Sequence, residues 1–157
     1  MKHYVGGICA AMAIFVSCST PEIKKASCIN ERMKDAVIRW GEYSTKTGQM
    51  RGYQFNGNLV LAKCLRESET DSNTINPMSE ISSDDFCKYL TTALRTFDTI
   101  QTLHAPGQIA RFVEYTNTGT NAKARAVWNP DFKTYGSKSF RSVYDSLMTF
   151  IPPDQRW

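Results

Sequence analysis

The stretch whose reading decides the fold runs from Arg51 to Leu65, RGYQFNGNLVLAKCL. Asn56-Gly57 within it is a strong hairpin signal, because both residues accept the positive φ of a type I′ turn. Tyr53 and Phe55 alternate with other residues before the turn, and alternation is the period of a strand with one buried face. Leu59-Val60-Leu61-Ala62 after the turn is apolar on both parities, which suits a central strand. A short apolar run of this kind also fits a helix. The hairpin reading gives a mixture of helices and antiparallel strands; the helical reading gives an all-α chain.

Outward from this stretch the hairpin reading extends. Gln108 to Thr116 (QIARFVEYT) and Ala122 to Trp128 (AKARAVW) both alternate, and Asn117-Thr118-Gly119-Thr120-Asn121 between them is rich in turn formers. Three helices are expected around the two hairpins. Thr20-Pro21-Glu22 starts the first as N-cap, first-turn proline and first-turn acid. It runs to about Lys46, with Ala26, Ile29, Met33, Val37 and Trp40 on one stripe and Gly48 as its stop. Ser82 with Asp85 opens the second in the manner of a capping box. That helix carries Phe86, Leu90, Leu94 and Phe97 and ends before Pro106-Gly107. The third spans Ser137 to Ile151, stopped by Pro152-Pro153. Residues 66–82 are polar and acidic and read as a long loop. The expectation is thus an α+β fold of three helices interleaved with two antiparallel hairpins, with all-α as the alternative.

The chain has 157 residues, the length of a single domain. Its net charge of +4 is mild and mixed in sign, which gives no support to a nucleic-acid partner. Val5 to Val16 (VGGICAAMAIFV) follows Lys2 and is the length of a signal-peptide apolar core. It is too short to cross a bilayer, which takes about 20 apolar residues.

This apolar core ends in Phe15-Val16-Ser17-Cys18. That tetrad resembles the lipobox of bacterial lipoproteins. The resemblance implies that residues 1–17 are a signal peptide and that 18–157 form one periplasmic domain. It implies a diacylglyceryl group on the Cys18 thiol, cleavage before Cys18, and acylation of the new amine with a fatty acid such as palmitate. Two or more acyl chains anchor a protein stably. Ser19 in place of Asp implies the outer membrane, with the chain facing the periplasm.

Cys28, Cys64 and Cys87 remain in the mature chain. An oxidising envelope permits one disulfide and leaves one thiol over. Three pairings are possible. Helical phase turns Cys28 away from the first helix's stripe and places Cys87 beside that of the second, which favours Cys64–Cys87. The other reading is three reduced, buried thiols.

Catalytic patterns are missing from the sequence. It holds no Gly-x-Ser-x-Gly, Ser-x-x-Lys, phosphate-cradling glycine loop or His-Glu-x-x-His. His104 is the one histidine of the mature chain and reads as a capping residue near the end of the second helix. No enzyme activity, metal or small-molecule cofactor is expected. Basic and aromatic side chains gather on the second hairpin: Arg111, Tyr115, Lys123, Arg125 and Trp128. Together they suit a partner-binding surface. Strand parity sets Arg111 and Tyr115 apart from Lys123 and Arg125.

Gly57-Asn58-Leu59-Val60-Leu61-Ala62-Lys63-Cys64, Phe86-Cys87-Lys88-Tyr89 and Phe140 to Pro153 also resemble the Rap/Tai periplasmic immunity family of type VI secretion. The resemblance covers under a third of the chain and implies a helical protein that blocks a toxin. Lys88-Tyr89 lacks the family's glycine, and Pro153 stands where the closing Cys is expected. The leading expectation is a lipid-anchored, non-enzymatic binding or accessory module for a protein partner in the envelope, such as a secretion or assembly component. The alternative is an immunity or inhibitor protein acting on a toxin or peptidoglycan hydrolase.

Overall fold

A computed structural model describes residues 28–100 and 103–156. Cys18 and the start of the expected first helix lie outside the described residues. The remainder forms seven strands and two helices. The strands are β1 (Ala36–Ser44), β2 (Met50–Asn56), β3 (Val60–Arg66), β4 (Thr74–Glu80), β5 (Leu103–Ala105), β6 (Ile109–Asn117) and β7 (Ala122–Trp128). The helices are α1 (Ser83–Thr99) and α2 (Tyr135–Met148), and a short 3-10 turn (Pro153–Gln155) follows. The strands make one mixed sheet in the order β4-β3-β2-β1-β6-β7-β5. Every neighbouring pair is antiparallel except β5–β7.

The expected three helices with two hairpins is therefore corrected: among the described residues there are two helices, and the chain is mostly β. The all-α alternative falls with it. The reason lies in the expected first helix. Val37 and Trp40 are three apart and imitate a helical stripe, but Ala36, Ile38 and Trp40 are the residues fully buried together, with period 2. They belong to β1, the centre of the sheet, flanked by β2 and β6 along its length. Just before it Asn30 folds its own backbone into a turn, its side chain accepting from the N–H of Arg32 and Met33. Such local bonds compete with helix.

Both hairpins are present inside this larger sheet. The β2–β3 connection is Gly57-Asn58-Leu59, with Leu59 rather than Asn56 or Gly57 at positive φ (63°). Asn56 holds the turn by accepting from the N–H of Asn58 and Val60. A Cβ on Gly57 would stand 2.4 Å from the Lys34 carbonyl oxygen, so only glycine lets the 30–35 turn pack there. The segment Gly57 to Cys64, helical by the immunity-family resemblance, is this turn and β3. The second half of the expected loop over 66–82 is β4, an exposed edge strand that the sequence reading missed. His104, placed near a helix end by the sequence, lies on β5 opposite Val127. At the second helix Ser82 does cap α1, accepting from the Asp85 N–H.

The core lies between one face of the sheet and the two helices. Ile38, Trp40, Tyr53, Phe55, Val113, Tyr115 and Trp128 meet Phe86, Leu90 and Phe97 of α1 and Phe140, Tyr144 and Leu147 of α2. Phe55 and Phe86 meet edge to face at 5.5 Å, as do Trp128 and Tyr144 at 5.9 Å. Cys28, ahead of β1, is joined to Cys87 on α1 by a disulfide. Cys64 is free and buried. The expected Cys64–Cys87 pair is thus corrected to Cys28–Cys87. Cys64 sits opposite Gly52 on the face of the sheet turned away from the helices, so the sheet separates it from α1.

Candidate functional site

Residues paired across neighbouring antiparallel strands share a face. The register therefore maps the helix-free face row by row. One row runs Val127, Phe112, Gly41, Gly52, Cys64 from β7 to β3. The next runs Arg125, Glu114, Arg39, Gln54. Lys123 and Thr116 begin a third, while Tyr43, Met50 and Arg66 lie on the other side of the glycines.

The first row is the floor. Phe112, Cys64 and Val127 are buried there without a helix over them. Gly41 and Gly52 leave its centre bare. A Cβ on Gly41 would fall 2.3 Å from the Arg51 carbonyl oxygen and 2.5 Å from the Gly52 Cα, so β1 and β2 meet more closely than side chains allow.

The second row is a ladder of charge. The Glu114 carboxylate is 3.4 Å from Arg39 Nη1 and 3.5 Å from Arg125 Nε, with its side chain only 9% exposed. Arg39 also donates through Nε and Nη2 to Gln54 Oε1, at 3.1 and 3.0 Å. Arg125 is laid flat as a lid: its guanidinium carbon is 4.9 Å from the Phe112 ring centroid and 5.2 Å from that of Tyr43. Cation–π contact of this kind fixes the plane of the guanidinium. Arg66 donates to the Gly48 carbonyl through Nε and Nη2, which ties the β3 end to the β1–β2 turn.

Between these side chains lies a cleft of about 210 Å³, walled by Arg39, Arg66, Asn73, Glu114, Lys123 and Arg125 over Met50 and Phe112. Arg66 and Lys123 are four strands apart and, by the register, six residues apart along β1, roughly 28 Å on a flat sheet at ~4.8 Å per strand and ~3.4 Å per residue. Both nevertheless line this one cleft. Four cations surround one carboxylate. Beneath it the Cys64 thiol has its pKa raised, chiefly by burial, against the opposing pull of Arg39 and a further push from Glu114.

The five residues expected to bind a partner do not form one surface. Lys123 and Arg125 reach the cleft. Arg111 lies on the helix side, 2.9 Å from Glu42 and 5.0 Å from the Tyr144 ring. Tyr115 and Trp128 are buried in the core, Trp128 stacked 6.5 Å from Phe140. The parity split noted in the sequence is what separates them. Arg39, Gln54, Arg66 and Glu114 were missed. Arg39 was hidden within the expected helix, and its signal appears once 36–44 is read as a strand: flanked by buried Ile38 and Trp40, it must face the other way.

Among the described residues no three of His, Cys, Asp and Glu gather as a metal site needs, and no helix is long and apolar enough to cross a membrane. No protein-family model matches the chain, and no curated protein matches it.

Proposed function

We propose that this chain is a lipid-anchored envelope lipoprotein that works without catalysis, as a binding module for a protein partner in the periplasm. The observation that carries the reading is the helix-free face, where four basic side chains wall one cleft around a single carboxylate. A surplus of this kind attracts an acidic partner and orients it on approach. Glu114, the one acid of the cleft, is held between two arginines, and the basic side chains outnumber it. The Cys28–Cys87 disulfide supports export, since such bonds persist in oxidising compartments. The lipobox-like Phe15-Val16-Ser17-Cys18 supports a membrane tether.

Two measurements test this. Mass spectrometry of the N-terminal peptide from the native source should find Cys18 as an acylated first residue; an unmodified Cys18 within a retained leader removes the envelope reading. Affinity capture from detergent-solubilised envelope should retain an acidic protein on the wild-type chain and lose it on the Lys123→Glu, Arg125→Glu double variant. Identical captures on both chains remove the cleft from the function.

A further inference from the structure

The cleft on the helix-free face has a size and a chemistry that specify more than a general basic surface. Its volume of about 210 Å³ is far too small for a strand or a folded surface. It matches one acidic side chain with a little water, taking about 30 Å³ as the share of each water. Its walls already show what they hold: Glu114 sits between Arg39 and Arg125 at 3.4 and 3.5 Å. Planar guanidinium groups suit carboxylates because two N–H groups meet two oxygens. The Arg125 guanidinium is pre-set by Phe112 and Tyr43, so little freedom is lost when a second carboxylate arrives. Arg66 and Lys123 add two cations that Glu114 does not engage.

We propose that this cleft is a carboxylate-binding site that admits one acidic side chain of the protein partner, with Glu114 as a resident competitor that tunes its affinity. The incoming carboxylate is held by Arg125, Lys123 and Arg66. Glu114 keeps Arg39 and Arg125 in place while the cleft is vacant, and its negative charge opposes the ligand's. The inference rests on the reading of this face as the binding surface and supplies the chemistry of what enters it.

The test is isothermal titration calorimetry of the full-length chain in detergent with a hexaglutamate peptide. Hexalysine, inorganic phosphate and phosphatidylglycerol vesicles are titrated beside it. Hexaglutamate is expected to bind, and more weakly as salt rises from about 50 to about 500 mM. Lys123→Gln should weaken it about tenfold, and Glu114→Gln should tighten it by roughly threefold or more, since it removes a like charge. Opposite effects of the two variants are a signature that a merely structural cluster would not give. Lys123 is exposed, so its variant keeps the fold; if Glu114→Gln fails to fold, Lys123→Gln alone decides. Absent binding of hexaglutamate, an unchanged affinity in Lys123→Gln, or tighter binding of phosphate or vesicles than of peptide overturns the proposal. Failure here with an acylated Cys18 and a captured partner removes the site alone. Peptide binding by a chain that is never acylated keeps the site and removes the envelope reading.

Discussion

Replacing Cys28 and Cys87 together by serine opens the one crosslink among the described residues. The two positions are 59 residues apart in sequence and 5.5 Å apart at their Cα atoms. In the chain-entropy treatment a loop of this length costs the unfolded chain about 14 cal/mol/K, or about 4 kcal/mol at room temperature. Both side chains are half-buried at the margin of the core, so serine adds little further penalty. A domain of this size should lose roughly 10–20 °C in Tm for a change of that magnitude. The assay is thermal and urea unfolding followed by circular dichroism on wild type, wild type with reductant, and the double variant. The last two should coincide. Loop entropy as the source of the stability is refuted if the double variant loses less than about 1 kcal/mol. A peptide map without reductant that links Cys64 to Cys87 refutes the pairing itself.

Three other perturbations probe the sheet and its two faces. Gly41→Ala should destabilise the fold by about 1–3 kcal/mol in urea titration, because its Cβ meets neighbouring backbone that cannot swing aside; a neutral result would mean the strands separate freely there. Tyr53 and Tyr144 have raised pKa values, chiefly through burial, with the Glu42 carboxylate adding to the rise at Tyr144. Their neutral forms are retained in the folded state, so stability is full below about pH 10, the ordinary tyrosine value. It should fall as pH climbs from there toward the folded values, because the unfolded chain releases those protons first. Phenolate absorbance in the native chain should show two late-ionising tyrosines, and titration of every tyrosine at the ordinary value would contradict their burial. Cys64, buried and with its thiol pushed up, should resist maleimide in the native chain and react after denaturation. Fast native labelling would show that the floor of the cleft is open.

The parts of the fold that local chemistry dictates were readable. Ser82 announces α1, Pro152-Pro153 bounds α2, and the turn formers at Asn56-Gly57 and 117–121 announce the hairpins. Each is decided within a dozen residues. What was not readable depends on distant partners. Residues 36–44 carry a pattern that fits helix and strand alike, and β2 and β6, one on each side, settle it in favour of a strand. Thr74 to Glu80 has almost no apolar signal, because an edge strand buries little; only the backbone of β3 makes it a strand. The cleft inherits both difficulties. Lys123 and Arg125 were legible from hairpin parity, whereas Arg39 and Arg66 become neighbours of them only when the order β3-β2-β1-β6-β7 is known. The cysteine pairing failed for the same reason, since parity within β3 places Cys64 on the wrong side of a sheet not yet assembled.

The two margins of the sheet have a consequence for life at high local concentration. β4 is interrupted by Pro77 beside a register shift at Leu61 and Ala62, and β5 is three residues long. A proline without its N–H and a stub of a strand are poor templates for another copy to zip onto. Molecules crowded side by side would therefore stay separate and resist fibrous polymerisation, leaving recognition to side chains in place of backbone.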